Sequence, residues 1–380
     1  MMFEHDNAVS DCGVKIKIIG VGGGGGNAVN RMVAANVQGV EIYALNTDKL
    51  AFRRSEVPNK VVIGEKITKG YGAGAKPQIG ARAAEESVEE IREILEGTDM
   101  VFVTAGMGGG TGTGAAPIVA RMAREMDILT IGIVTKPFAF EGKKRMEQAE
   151  AGIAELAQFV DSLVVIPNER LKLISSDKLT LSNAFTIADD VLRRGVQSIS
   201  DLINVSGFIN LDFADVTSVM KNAGYAHMGV GAATGKDKAV LAAKEAISSP
   251  LLETSIKGAK GVLINITVSP DVSLDEVDVA STLITNEANP EANVIWGVSF
   301  DNDLENEMRI TIIATGFEKK PEDIHRMTAA PKTNAEGGFY RTAQRTAAAR
   351  VVPQKVAPVR GTDADDGDDL LLMMRGTSNQ

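Results

Sequence analysis

Residues Gly108–Gly114 read GGGTGTG and stand between a predicted buried strand, Met100–Ala105, and a predicted helix that begins near Ala115. Glycines at such a junction let backbone N–H groups approach a phosphate at the positive end of a helix. Thr111 and Thr113 add hydroxyl donors that the backbone lacks. The stretch predicts a phosphate-binding loop, and a tight glycine turn without a ligand is the alternative.

A second glycine run, Gly22–Gly26, follows the predicted strand Val14–Val21 and precedes the predicted helix Asn27–Val37. Ordering each residue costs roughly 1–2 kcal/mol of backbone entropy, and glycine loses the most of any residue. A flexible linker has no reason to lie between a first strand and a first helix. Two glycine-rich loops on one sheet therefore indicate a cradle for a chain of phosphates.

The N-terminal run also fits the dinucleotide-binding pattern G-x-G-x-x-G, with Gly20, Gly22 and Gly25 as its glycines. An NAD-binding oxidoreductase of Rossmann type is therefore an alternative, but it leaves GGGTGTG unexplained. The sequence contains no G-x-x-x-x-G-K-[ST] motif, which excludes the ordinary P-loop NTPases, and it lacks the protein-kinase motifs.

Short apolar runs alternate with helical patterns over the first part of the chain. The predicted strands are Val14–Val21, Val40–Asn46, Met100–Ala105, Ile128–Val134 and Leu163–Ile166, and the predicted helices are Asn27–Val37, Ile79–Leu95, Ala115–Met126 and Lys143–Gln158. This alternation predicts the α/β class, with a mostly parallel, Rossmann-type sheet covered by helices on both faces.

Apolar residues at helical spacing then predict one long helix at Thr186–Asn204, followed by a loop, GFINLDFADV, at Gly207–Val216. A second, smaller α/β domain is predicted after this loop. Its strands are expected at Met228–Thr234, Gly261–Val268, Asn293–Ser299 and Arg309–Ala314, and its helices near Lys236–Ala246 and Leu274–Ala288.

The bulk composition disfavours several classes of protein. The 380 residues carry a formal net charge of -10 and only 4% are aromatic, which disfavours binding of nucleic acid. The one cysteine, Cys12, excludes an intrachain disulfide and fits a reducing cytosol, and three scattered histidines disfavour a structural zinc site. Acidic residues near the N-terminus disfavour an export signal, and no apolar stretch approaches the ~20 residues that span a bilayer. We expect a cytoplasmic protein without direct membrane insertion.

Composition changes after Gly316. Residues 317–367 are rich in Ala, Thr, Pro and charge with little apolar periodicity, which predicts a disordered linker. Residues 368–380 read DDLLLMMRGTSNQ and place a short apolar cluster between charges. Two interpretations stay open, namely a frayed terminus and a short peptide that docks on an adaptor protein.

Several blocks of the sequence resemble one family. GGGTGTG is the tubulin signature, and six further blocks are similar to the bacterial cell-division family FtsZ. They are GVGGGGGNAVNRM (Gly20–Met32), ALNTD (Ala44–Asp48), KPFAFEGKKR (Lys136–Arg145), PNERL (Pro167–Leu171), AFTIADDVL (Ala184–Leu192) and NLDFADV (Asn210–Val216). The resemblance is collinear from about Val14 to Gly316.

The resemblance implies a GTPase that assembles head to tail into filaments, which form the cytokinetic ring at mid-cell in the cytoplasm. It implies a tubulin-like fold with a disordered N-terminus (1–13), a GTP-binding domain (14–185), a central helix (186–206) and a C-terminal activation domain (207–316). GTP or GDP would be bound, with Mg²⁺ held mainly by phosphates and water. A tubulin-like GTPase with a role other than division is an alternative.

The resemblance also implies roles for individual residues. The GTP-binding positions would be Gly23, Gly24, Gly25, Gly26, Asn27, Gly106, Gly108, Gly109, Gly110, Thr111, Gly112 and Thr113 at the phosphates; Ala73 and Gly74 over the γ-phosphate; Glu141 and Arg145 at the ribose; Asn168, Phe185 and Asp189 at the guanine; and Asn46 and Asp48 in the ALNTD block.

Some of these residues have simpler interpretations. Asp189 suits guanine because a carboxylate can accept from N1–H and the 2-amino group, whereas adenine offers no such pair; a charge favoured by the helix dipole is the alternative. Glu141 and Arg145 are expected on one helical face, where a weak surface ion pair is the alternative.

The resemblance further implies that Asn210, Asp212 and Asp215 orient the attacking water, with one carboxylate accepting its proton. About 18 helical residues separate Asp189 from this loop, which at 1.5 Å per residue is roughly 25–30 Å. One chain cannot place both on the same nucleotide, so the aspartates would act on the nucleotide of the next subunit. Turn and capping chemistry is the alternative for two aspartates in a loop.

The implied partners are further copies of the chain, together with membrane-tethering and regulatory division proteins that bind the C-terminal peptide. Members of the family usually end in a conserved peptide, often with an Asp-Ile-Pro core followed by Leu-Arg. Residues 368–380 keep the acid–apolar–arginine order but lack the proline.

Overall fold

The structure is a computed structural model, and it describes residues 13–173, 180–204, 211–252, 255–301 and 304–317. Residues 318–367 of the predicted linker, the predicted docking peptide and residues 1–12 of the predicted disordered N-terminus lie outside these ranges.

The strands of the described residues form one sheet. They are β1 (Ile16–Val21), β2 (Val40–Asn46), β3 (Asn59–Val62), β4 (Met100–Gly106), β5 (Leu129–Lys136), β6 (Ser162–Pro167), β7 (Gly224–Thr234), β8 (Gly261–Val268), β9 (Asn293–Phe300) and β10 (Glu307–Thr315). Their order across the sheet is β3-β2-β1-β4-β5-β6-β7-β10-β8-β9. The strands from β3 to β7 in that order pair in parallel, and β10 runs antiparallel between β7 and β8. Every residue of β1 is buried, as expected for a parallel strand covered on both faces.

The helices of the described residues cover this sheet. They are α1 (Gly22–Ala34), α2 (Glu65–Thr68), α3 (Pro77–Glu86), α4 (Val88–Leu95), α5 (Thr111–Glu125), α6 (Lys143–Leu156), α7 (Leu181–Asn204), α8 (Phe213–Met220), α9 (Lys238–Ile247) and α10 (Leu274–Glu287). One apolar core holds α1 and α7 on a face of the parallel strands, and a second holds α3 to α6 on the other face. A third core packs α9 and α10 against β8 and β10.

Helix α7 joins the parallel strands to the C-terminal strands. Val196 and Ile199 share a core with Ile133 of β5 and with Leu263 and Ile313 of β8 and β10. The hydroxyl of Ser198 also donates to Thr311 Oγ1 on β10 at 3.0 Å. Helix α7 therefore packs against both the parallel strands and the C-terminal strands of the sheet.

The predicted α/β fold, with a mostly parallel sheet and a smaller second part, is confirmed. The exact domain boundaries stay predictions. None of the helices in the described ranges combines the length and the hydropathy that crossing a membrane requires.

The helix predicted at Ile79–Leu95 is wrong, because two helices, α3 and α4, meet at Ser87. The backbone of Ser87 is not helical, with φ −104° and ψ 32°, and its buried Oγ accepts the N–H of Gly64 at 3.2 Å. A serine that bonds elsewhere in this way competes with the helical hydrogen bonds around it.

The predicted loop at Gly207–Val216 is also wrong in its second half, because α8 begins at Phe213. Asp212 caps this helix, and its Oδ1 accepts the N–H of Asp215 at 2.7 Å. Helices α1, α5 and α7 begin four or five residues before their predicted starts, at Gly22, Thr111 and Leu181. Strand β3 and helix α2 were not predicted from the sequence.

Candidate functional site

The two glycine runs lie against each other at the carboxyl ends of β1 and β4. A Cβ placed on Gly22 would lie 2.7 Å from the amide nitrogen of Gly112, and one placed on Gly24 would lie 3.0 Å from the backbone of Gly106. Gly22 also has a φ of 73°, which favours glycine. Helices α1 and α5 therefore begin side by side, each with the unpaired N–H groups of a helix N-terminus.

Three glycines of these runs, Gly23, Gly26 and Gly109, border open space. A Cβ on any of them would meet no atom within 4 Å. Gly23 and Gly26 lie inside α1, where glycine costs about 1 kcal/mol relative to alanine. Packing against the described residues therefore gives no reason for glycine here, whereas a ligand close to the backbone does.

The two threonines of GGGTGTG have different surroundings. Thr113 is buried, and its Oγ1 accepts the N–H of Gly108 at 2.8 Å, which shapes the loop. Thr111 is half-buried at the start of α5, and its Oγ1 lies 2.6 Å from the hydroxyl of Thr47. Thr111 is thus the more exposed of the two threonines.

The segment with Ala73 and Gly74 lies against the second glycine run. A Cβ on Gly110 would lie 2.8 Å from the Cβ of Ala73, and Gly74 has a φ of 58° with open space where a side chain would be. Asn46 and Asp48 form the turn after β2. Asn46 Oδ1 accepts the N–H of Asp48 at 3.2 Å, and Asp48 caps the short 3₁₀ helix that follows.

Glu141 and Arg145 form an ion pair, with 3.1 Å between Oε2 and Nη1. The expectation that both lie on one helical face is wrong. Glu141 belongs to a 3₁₀ turn, whereas Arg145 lies in the first turn of α6. Gly142 separates these two elements, with a φ of 98° that is not helical. A Cβ on Gly108 would lie 2.6 Å from the carbonyl oxygen of Arg145, so the pair adjoins the second glycine run.

A cavity of about 470 Å³ lies between α1 and the first turns of α7. Its lining residues are Asn27, Asn30, Arg31, Ala34, Arg54, Glu56, Phe185, Thr186 and Asp189. The ring of Phe185 packs edge-on against Phe138, with 5.5 Å between centroids. Asn27, Phe185 and Asp189, which the sequence associates with the nucleotide, therefore share one cavity.

Asn168 is not among the residues that line this cavity. It begins the 3₁₀ helix after β6, it is buried, and its Oδ1 has no hydrogen-bond partner within the described part of the chain. Leaving a buried acceptor without a donor costs about 1–3 kcal/mol. This oxygen therefore fits a ligand that brings an N–H or O–H group.

The buried carboxylate of Asp189 is held by Arg31, whose Nε donates to Oδ2 at 3.3 Å. The Nη2 of Arg31 donates to Thr186 Oγ1 at 3.0 Å. Burial raises the pKa of the Asp189 carboxyl to about 6, while the hydrogen bond and the positive charge of Arg31 oppose this rise.

Two of the predicted catalytic residues, Asp212 and Asp215, lie beyond the other end of α7. Asp212 and Asp215 are exposed at the start of α8, and Asn210 lies outside the described residues. The N–H of Leu211 donates to the carbonyl of Leu202 at 3.4 Å, so α8 begins beside the end of α7. The helix rises about 20 Å between Asp189 and Leu202 at 1.5 Å per residue. One chain therefore keeps these aspartates apart from its own cavity.

Comparison with known proteins gives the family. The Tubulin/FtsZ GTPase domain matches residues 15–176, and the FtsZ C-terminal domain matches residues 224–318. A solved FtsZ dimer from M. jannaschii is 43% identical, with a TM-score of 0.77 over 80% of this chain and 88% of that one. A point mutant of FtsZ from the same organism is 42% identical, with a TM-score of 0.78 over 80% and 92% of the two chains. This chain belongs to the FtsZ family.

The resemblance read from the sequence is thus confirmed, and the chain carries the GTPase domain of the Tubulin/FtsZ family, which binds GTP and GDP. That domain match includes both glycine runs, so the glycine pattern no longer favours an NAD-binding oxidoreductase. CetZ2 and CetZ1 from Haloferax volcanii, at 21% and 20% identity with TM-scores of 0.68 and 0.70, share the fold.

Sequence reasoning missed one functional candidate in this FtsZ-type site. Arg31 lies four residues after Asn27 on α1, so helical spacing alone could have placed both on one face. Within the described ranges, no group of three or more His, Cys, Asp or Glu side chains is arranged to hold a metal ion.

Proposed function

We propose that this chain is a GTP-dependent, polymerising cell-division protein that assembles head to tail into filaments of the cytokinetic ring and hydrolyses GTP at the junction between subunits. One observation carries the proposal. Helix α7 separates the cavity with Asp189 from Asp212 and Asp215, so the exposed carboxylates can reach a nucleotide only on another subunit.

The nucleotide end of α7 suits GTP. The open glycines Gly23, Gly26 and Gly109 leave room for phosphates beside two helix N-termini, which favour negative charge. Asp189 can accept the N1–H and the 2-amino group of guanine. Asn168 Oδ1 is buried without a donor, which supports its role at the base. The remaining GTP-binding positions implied by the sequence are part of the same proposal.

The other end of α7 suits hydrolysis. Asp212 and Asp215 are exposed in the first turn of α8 and its cap, where they are free to meet a neighbouring subunit. Phosphoryl transfer needs positioning and charge stabilisation more than covalent help from the protein. Asn210 and the two carboxylates orient the attacking water, and one of the carboxylates accepts its proton. Mg²⁺ would be held mainly by the phosphates and by water, and it would supply positive charge to the phosphoryl group.

Sharing the site in this way makes the contact heterologous, because the nucleotide face of one subunit meets the α8 face of the next. Heterologous contacts that do not close on themselves give open filaments. The solved FtsZ dimer from M. jannaschii, which is 43% identical, supports contacts between copies. The filaments would lie at mid-cell in the cytoplasm, and residues 368–380 would dock membrane-tethering and regulatory division proteins.

The proposal is tested by GTPase activity per subunit across a range of protein concentrations, with light scattering recorded in parallel. We expect activity near zero at low concentration, rising together with scattering. Asp215→Ala should bind GTP like the wild type and lose turnover. Constant activity per subunit at every dilution would mean that each chain carries a complete site, and the proposal would fail.

A mixing experiment tests the sharing itself. Asp215→Ala keeps the nucleotide site, whereas Gly112→Ala should lose it, because a Cβ there would lie 3.0 Å from the carbonyl oxygen of Gly106. Each variant alone should be inactive. In an equal mixture about a quarter of the head-to-tail junctions would pair an intact nucleotide site with intact aspartates, so activity should return. A mixture as inactive as its components, although it polymerises, would contradict shared sites.

A further inference from the structure

The cavity between α1 and α7, where the proposed function places the guanine base, contains a side chain that donates a hydrogen bond to Asp189. Arg31 extends from α1 into this cavity, and its Nε lies 3.3 Å from Asp189 Oδ2. The guanidinium is also fixed from its other side, because Nη2 donates to Thr186 Oγ1 at 3.0 Å. Arg31 thus bridges two residues on the first turns of α7.

We propose that Arg31 is a positioning residue for base recognition, which keeps Asp189 ionised and directed into the cavity so that the carboxylate can accept the N1–H and 2-amino groups of guanine. This inference rests on the proposed function, since it takes the cavity to be the base site. Arg31 is not among the GTP-binding residues that the sequence implies, and it would contribute to selectivity for the base.

The chemistry of the carboxyl group explains why such a residue is needed. Burial raises the pKa of Asp189 to about 6, and Arg31 works against that rise. A protonated carboxyl has only part of the acceptor capacity of a carboxylate, because one oxygen then carries a proton. Without Arg31, burial acts unopposed, and Asp189 takes up its proton at a higher pH.

Other charged groups near Asp189 differ from Arg31 in their contacts. Arg54 and Glu56 line the cavity from the segment before β3. On α7 itself, Asp190 forms ion pairs with Arg193 at 2.8 Å and with Arg194 at 2.7 Å, so these three side chains pair with one another within the helix. Arg31 is therefore the basic group whose hydrogen bond to Asp189 the structure shows, and Arg54 offers a matched control.

The test measures binding of GDP, of ADP and of IDP, which lacks the 2-amino group, to nucleotide-free protein. The pH runs from 5.5 to 8.5, which brackets the pKa of about 6 of Asp189. The variants are Arg31→Gln, Thr186→Val and the control Arg54→Gln. Thr186→Val removes the second anchor of the guanidinium and leaves its charge in place. Arg54→Gln removes one positive charge from the same cavity and leaves the Arg31–Asp189 pair.

In the wild type, we expect affinity for GDP to fall as the pH drops through about 6, because Asp189 becomes protonated. In Arg31→Gln the affinity for GDP should begin to fall about one pH unit higher than in the wild type. Below that midpoint, each further drop of one pH unit should weaken GDP binding about tenfold. The preference for GDP over IDP should shrink with it. Thr186→Val should shift the midpoint in the same direction by less, and Arg54→Gln should leave it unchanged.

An unchanged midpoint and an unchanged GDP/IDP ratio in Arg31→Gln would overturn the inference, as would an equal shift in Arg54→Gln, which would indicate a general charge effect. These outcomes leave the proposed function intact as long as the wild type prefers GDP over ADP. A wild type without that preference would refute the base-site assignment, and the role of Arg31 would fall with it.

Discussion

The hydroxyls of Thr47 and Thr111 lie 2.6 Å apart and join the turn after β2 to the first turn of α5. Thr47 is fully buried, so Thr111→Val leaves its hydroxyl without this partner. We expect a loss of about 1–3 kcal/mol in the free energy of unfolding, measured by urea titration. Thr111→Ser should be close to the wild type, and the double variant with Thr47→Val should recover much of the loss. A single variant as stable as the wild type would contradict this view of the pair.

Gly26→Ala is expected to separate stability from binding. A Cβ at Gly26 meets no atom within 4 Å, and alanine is favoured over glycine inside a helix by about 1 kcal/mol. The variant should therefore unfold at a higher urea concentration and bind GDP more weakly, because the new methyl group would occupy the space proposed for the phosphates. The neighbouring Gly25→Ala should unfold readily, since its Cβ would lie 2.3 Å from the carbonyl oxygen of Thr104. Unchanged GDP binding in Gly26→Ala would place the phosphates elsewhere.

A pair of substitutions can distinguish the capping role of Asp212 from its proposed catalytic role. Its Oδ1 caps α8 by accepting the N–H of Asp215 at 2.7 Å, and its charge is proposed to act on the nucleotide of another subunit. Asp212→Asn keeps a good cap and removes the charge, so stability should hold while GTP turnover is lost. Asp212→Ala should lose turnover and about 1 kcal/mol of stability as well. If Asp212→Asn hydrolysed GTP at the wild-type rate, its role would be capping alone.

Asp201, on α7, should make the stability of the chain depend on pH. Burial raises the pKa of its carboxyl to about 6, with Gln197 and Arg193 lowering it and the charge of Asp301 raising it. Because the folded-state pKa exceeds the usual value, protonation favours the folded chain, and the stabilisation is lost as the pH rises through about 6. Asp201→Asn should therefore raise the free energy of unfolding at pH 8 by up to about 3 kcal/mol, and the gain should vanish near pH 4.

Urea titrations of both proteins at the two pH values check this prediction. Asp278→Asn, at an exposed position of α10, is the matched control and should change little at either pH. An equal gain from Asp201→Asn at both pH values would show that titration of Asp201 does not link stability to pH.

The sequence predicted the central strands well, because apolar runs such as that of β4 are bounded by turns and glycines. It placed the start of α1 too late, since five glycines have a poor helix propensity. In the structure the close contacts of Gly22 with Gly112 and of Gly24 with Gly106 override that propensity. Tertiary packing of this kind cannot be read from a local pattern.

The same limit explains the residues that were missed. Arg31 and Asp189 are 158 positions apart, and their ion pair exists because α1 and α7 pack on one face of the sheet. The break between α3 and α4 likewise depends on the N–H of Gly64, which lies 23 positions before Ser87. Each depends on contacts between elements, whereas periodicity reports only on contacts within one element.

The length of α7 has a consequence for the two ends of a filament. If the base site and the aspartates belong to opposite faces of each subunit, the terminal subunit at one end holds a nucleotide that no neighbour's aspartates reach. The terminal subunit at the other end presents aspartates to no nucleotide. A filament would thus contain one fewer complete site than it has subunits. One end would carry an intact GTP cap however fast the interior turns over, and growth and shrinkage at the two ends would differ for that reason alone.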